Sequence, residues 1–132
     1  MRILIEPLSA ASKECGIIEQ SIRNAVMFPL SSTKIDVLQG SGRFYVNATT
    51  VVSRSYPICI SSLKVEVSYL QSVMLGFSNK DTPDFVAIKL WESGTLFSSG
   101  QHEHTQRMSE NVEELTKKFI TDWNLDNKSS AK

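Results

Sequence analysis

Residues Ile58 to Leu70 alternate between apolar and polar side chains. Cys59, Leu63, Val65, Val67 and Tyr69 fall on one side, and Ser62, Lys64, Glu66 and Ser68 on the other. Successive side chains of a strand point to opposite faces, so this period builds a sheet with one covered face and one wet face. Whatever covers the sheet must carry an apolar stripe of its own, and two segments have helical spacing. In Glu14 to Phe28 the stripe is Ile18, Ile22, Ala25 and Val26, with Cys15 one turn before Ile18. Pro29 is expected to stop this helix, because the residue before a proline resists the helical conformation. In Gln106 to Trp123 the stripe is Met108, Val112, Leu115, Phe119 and Trp123. Its opposite face carries Glu113 with Lys117 and Glu114 with Lys118, i,i+4 pairs in the favourable orientation.

The rest of the chain reads as strands and turns. Arg2 to Glu6 is a short strand ending at Pro7, and Lys34 to Leu38 is a second. Gln39-Gly40-Ser41-Gly42 is a turn, and Arg43 to Val52 is rich in strand-forming residues. Gly76 to Asp84 is a loop. Phe85 to Trp91 and Thr95 to Ser99 form a hairpin about a tight turn at Glu92-Ser93-Gly94. The expected fold is α+β, a two-layer sandwich in the order β-α-β-β-β-β-β-α. A mostly antiparallel sheet of about five to six strands carries two helices on one face. The first strand–helix–strand unit predicts a parallel pair. One domain over residues 1–126 is expected, with 127–132 a disordered tail.

Composition narrows the function classes. The 132 residues suffice for one buried core. Fourteen basic residues balance fourteen acidic ones, which gives no long-range attraction to nucleic acid or to an anionic membrane. No apolar run approaches the ~20 residues of a membrane-spanning helix, so no membrane insertion is expected. The chain opens Met-Arg-Ile-Leu-Ile-Glu and enters a strand directly. That start fits a cytosolic protein, and equally one whose Met1 replaces a removed signal peptide.

Cys15 and Cys59 are the two cysteines. One opens the first helix on its apolar side; the other sits on the covered face of the long strand. Three readings stay open on position alone. A bridge across the layers would close a loop of about 45 residues and stabilise by about 4 kcal/mol on the chain-entropy model. Two buried thiols would act as small hydrophobes in a cytosolic domain. A reactive cysteine is the third, though neither has a CxxC partner.

Several segments together carry a resemblance. They are Ile3-Leu4-Ile5-Glu6-Pro7-Leu8, Glu14-Cys15-Gly16-Ile17, Phe44-Tyr45-Val46-Asn47, the single Cys59 in a long strand, Leu90-Trp91-Glu92-Ser93-Gly94-Thr95-Leu96 and Phe119-Ile120-Thr121-Asp122-Trp123. The layout resembles small exported proteobacterial proteins of unknown function that carry a removable signal peptide and a cysteine at each of these two places. The resemblance implies a periplasmic protein with Cys15 and Cys59 paired. It implies no active-site residues. At fold level the layout is also similar to small envelope domains such as the amino-terminal domain of the Tol-system propeller protein, a likeness that carries no function with it.

No GxSxG, P-loop or GxGxxG pattern occurs, and no cofactor is implied. His102-Glu103-His104 is the one histidine cluster. In an extended segment both imidazoles would point the same way and offer two metal ligands, which supports an alternative reading as a metal-binding protein or metal-dependent enzyme. The leading reading is a non-catalytic envelope protein that binds a protein partner, or a copy of itself, through the open sheet face. Tyr45, Asn47 and Thr49 are expected there, joined by Ile58, Ile60 and Trp91 from neighbouring strands.

Overall fold

The computed structural model describes residues 1–33, 35, 42–53, 55–73 and 84–128. The elements are β1 (Arg2–Ile5), α1 (Ala10–Glu14), α2 (Glu19–Ser31), β2 (Gly42–Val52), β3 (Ile58–Val73), β4 (Asp84–Gly100) and α3 (His104–Asn127). The fold is α+β. One mixed sheet runs β1-β2-β3-β4, with β1 parallel to β2 and the other pairs antiparallel. Among the described residues there are four strands and three helices, where five to six strands and two helices are expected for the chain. Of the expected Lys34 to Leu38 strand, only Ile35 is among the described residues, and the loop over residues 76–84 lies outside them up to residue 83.

The covered face of β2 and β3 is the one the alternation marks. Phe44, Val46, Leu63, Val65 and Val67 are buried against Ile22 and Val26 of α2 and Met108, Val112 and Phe119 of α3. Phe119 stands edge-on to both Phe44 and Trp91, with ring centroids 5.9 and 5.3 Å apart. Truncating a ring buried this deeply costs about 3–5 kcal/mol.

The helix expected over Glu14 to Phe28 begins only at Glu19, as α2, and a separate short helix, α1, ends at Glu14. α1 starts at Ser9, whose Oγ accepts from Ser12 N–H, and ends in a Schellman turn. Gly16 N–H donates to Lys13 C=O and Ile17 N–H to Ser12 C=O, with Gly16 at φ +79°. That conformation is easy for glycine and strained for other residues. Cys15 therefore caps a short first helix instead of opening a long one. Pro29 does not stop α2 either; it is buried in the last turn. A proline there removes a bond only near the helix end, and the hydroxyls of Ser31, Ser32 and Thr33 donate to the carbonyls of Phe28, Pro29 and Leu30.

The expected hairpin at Glu92-Ser93-Gly94 is instead the middle of one 17-residue strand. Gly94 is a close-approach residue and no turn: a Cβ there would lie 2.8 Å from the Leu63 carbonyl oxygen. A β-bulge at Leu90 interrupts the ladder, since Val67 pairs with Trp91 while Ser68 pairs with Lys89. The extra residue reverses the facing of everything after it. α3 starts two residues earlier than expected and runs on through Asn127.

Candidate functional site

The face of the sheet away from the helices is divided into two ends. At the end near Cys59, Val51 pairs with Ile60, and Ile58 and Leu96 flank them. Their exposures are 61% for Val51, 41% for Ile60, 39% for Ile58 and 72% for Leu96, so four aliphatic side chains meet solvent side by side. Thr49, Ser62 and Ser98 fill the gaps between them. Beside Leu96 a hollow of ≈ 390 Å³ is lined by Ser62, Lys64, Glu92 and Gly94.

The other end is charged and internally balanced. Lys64 lies 3.0 Å from Glu66 and 3.6 Å from Glu92, and Lys89 lies 3.4 Å from Glu66 and 2.9 Å from Glu92. The hydrogen bond from Lys64 holds the Glu66 carboxyl below its ordinary range, and the one from Lys89 does the same for Glu92. Tyr45 donates its hydroxyl to Glu6. That hydrogen bond, then burial and the acidic neighbours, push the phenol up to about 12. Both cations and both anions of this quartet are paired within the face.

Tyr45, Asn47 and Thr49 lie on the open side of β2, and Ile58 and Ile60 on the open side of β3. Trp91 does not join them. Counting by two from Ala87 and Lys89 puts it on the open face, but the bulge at Leu90 turns it to the helix side. There its ring packs on Phe119 and its Nε1–H donates to Asp122 at 2.9 Å.

The histidine cluster is also divided. Residues 101–103 form a turn and His104 is the first residue of α3, so the two imidazoles do not share a side. His102 is exposed and His104 is fully buried. Both ring nitrogens of His104 are occupied: Ser61 Oγ lies 2.6 Å from Nε2 and Ser99 Oγ 2.8 Å from Nδ1. Phe97 stacks on the ring at 5.0 Å. Among the described residues no group of three His, Cys, Asp or Glu is placed to hold a metal.

His104 belongs to a longer polar chain. Ser12 Oγ donates to Thr50 Oγ1 at 2.9 Å, and Thr50 Oγ1 lies 2.8 Å from Ser61 Oγ. One arrangement uses every group: Ser99 gives its own proton to the Gly100 carbonyl and accepts from Nδ1–H, and Thr50 donates to Ser61, which donates to Nε2 of the neutral imidazole. Among the described residues no buried side-chain nitrogen or oxygen lacks a partner. Ser61 with His104 has the contact distance of a nucleophile and its base. Both are fully buried, however, and the pair links β3 to α3.

The Cys15–Cys59 disulfide lies next to this chain. It joins the end of α1 to β3 with Cα atoms 6.2 Å apart. Both sulfurs are bridged, so the free-thiol and reactive-cysteine readings do not describe this structure.

No protein-family model, no curated protein and no solved structure matches this chain. The polar chain was the feature hardest to read from sequence. Its signal was present: Thr50 and Ser61 sit at core positions of otherwise apolar alternations. A hydroxyl at a covered position requires a buried partner.

Proposed function

We propose that this protein is a non-catalytic, exported envelope protein that binds a protein partner through its open sheet face. The observation carrying the reading is the contiguous aliphatic patch of Val51, Ile58, Ile60 and Leu96 on a face no helix covers among the described residues. Apolar groups side by side in solvent, rimmed by Thr49, Ser62, Lys64 and Glu92, have the make-up of an interface core with a polar rim. The buried placement of the Ser61–His104 pair supports a non-catalytic role. The Cys15–Cys59 bridge supports a periplasmic location, since structural disulfides persist in oxidising compartments. No described helix is long and apolar enough to cross a membrane.

A photo-crosslinking residue placed at Ile60, and separately at Lys117 on the solvent side of α3, tests the reading in the native host. A discrete adduct from Ile60, absent from Lys117 and abolished by Val51→Lys, is expected. No adduct from Ile60, or the same adducts from both positions, overturns it.

A further inference from the structure

The sheet has two edges, and they are treated differently. β1 is four residues long, and beyond it the β2 edge is approached by α1, whose Ser12 bonds Thr50. On the far side of β4 no strand pairs among the described residues.

The direction of the free backbone groups follows from the ladder. Ser53 N–H donates to Ile58 C=O, and Gln101 N–H to Pro57 C=O. Hydrogen-bonded pairs alternate along antiparallel strands, so odd-numbered β3 residues bond to β4 and the partners Trp91, Ser93, Thr95, Phe97 and Ser99 bond back. Glu92, Gly94, Leu96 and Ser98 then aim their N–H and C=O groups outward.

Sheet edges are normally blunted by charge, proline or a bulge. The first half of β4 has such protection, with the bulge at Leu90 and the charges of Lys89 and Glu92. Ser93 to Gly100 has none of its own, and Lys118 of α3 reaches it at Ser93, 3.3 Å away on the helix side. The segment contains no charge, no proline and no register shift, and Leu96 projects from its centre.

We propose that this half-edge pairs antiparallel with the same segment of a second copy, about a two-fold axis at Thr95. Three features select a second copy as the occupant. This register sets Leu96 of each protomer opposite Gly94 of its partner, so each exposed leucine faces a residue with no side chain, beside the hollow that Gly94 helps to line. It sets Glu92 opposite Ser98, so no like charges meet. The chain's formal net charge is zero, so two copies do not repel. The axis stands perpendicular to the sheet, which becomes eight-stranded and continuous, with both aliphatic patches on the same side. The pairing does not depend on the partner-binding reading above.

Sedimentation of the full chain across a concentration series tests it. Dimer is expected for the parent chain and monomer for Ser98→Pro, whose lost N–H points away from β3 and leaves the ladder intact. Leu96→Lys is the second variant, needed if the proline disturbs folding, and it too is expected to be monomeric with unchanged circular dichroism. Ile60→Lys, on the face and away from the edge, is expected to remain a dimer. A parent chain that stays monomeric, or a dimer that persists in folded Ser98→Pro and Leu96→Lys, overturns the proposal. So does a dimer lost in Ile60→Lys and kept in Ser98→Pro, which would place association on the faces. Loss of partner crosslinks at Ile60 with an intact dimer tells against face binding alone.

Discussion

Ser61 Oγ and His104 Nε2 lie 2.6 Å apart, tying β3 to the first residue of α3 at a point fully shielded from solvent. The contact is one link of a hydroxyl chain from α1 through β2 and β3 to β4. Its worth lies in having every donor and acceptor used, because a half-satisfied buried network costs more than an apolar one.

Ser61→Ala should show that cost. It strands the Thr50 hydroxyl and the His104 Nε2 in the core, and the loss expected is about 1–3 kcal/mol. Urea unfolding of the variant beside Ser62→Ala, one residue away on the open face, measures it. The Ser62 variant should be within about 0.5 kcal/mol of the parent.

Acid should weaken the fold through the same residue. Burial holds the His104 imidazole below its ordinary value. In the unfolded chain it protonates near pH ~6.5. The unfolded state therefore binds more protons as pH falls through that value, and the fold loses stability down to the lower folded value. The slope in that window approaches about 1.4 kcal/mol per pH unit. Unfolding midpoints at pH 7.5 and 5.5 check this, and His104→Gln should flatten the dependence while lowering stability at both.

The tight ending of α1 makes Gly16 hard to replace. Gly16→Ala demands a left-handed alanine and brings its Cβ to 2.7 Å from Thr105 Oγ1, which also donates to the Gly16 carbonyl. A loss of at least about 1–2 kcal/mol is expected from the backbone alone, read as a lower thermal midpoint.

Trp91 separates face from core. Trp91→Phe keeps a ring against Phe119 but abandons the Asp122 bond, so about 1 kcal/mol of stability should go while crosslinking at Ile60 is unaffected. A Trp91→Phe protein that keeps its stability and loses its crosslinks would put the residue back on the open face.

Period was the most readable part of the chain. The alternation in Ile58 to Leu70 assigned Leu63, Val65 and Val67 to the core correctly, and the α3 stripe did the same for Met108, Val112 and Phe119. Local exceptions to a period were not readable. Gly94 signals a turn and a close approach equally well, and only the Leu63 carbonyl beside it decides. A bulge such as Leu90 leaves no compositional mark, yet it carried Trp91 across the sheet. Gly16 offered a stop signal that the apolar spacing on either side masked. Tyr45, Asn47, Thr49, Ile58 and Ile60 were placed by phase, while the β4 edge needed the strand order, which no local pattern contains.

The bridge supports both the packing and the proposed compartment. Closing 44 residues of chain, it contributes about 4 kcal/mol by loop entropy, and it anchors α1 where Ser12 meets Thr50. Mass spectrometry of protein from the native host, alkylated before and after reduction, tests it directly. A Cys15–Cys59 linked peptide without reduction, and two alkylated cysteines only after it, is the predicted result. Two cysteines alkylated before reduction would contradict the bridged fold and remove the main support for an envelope location.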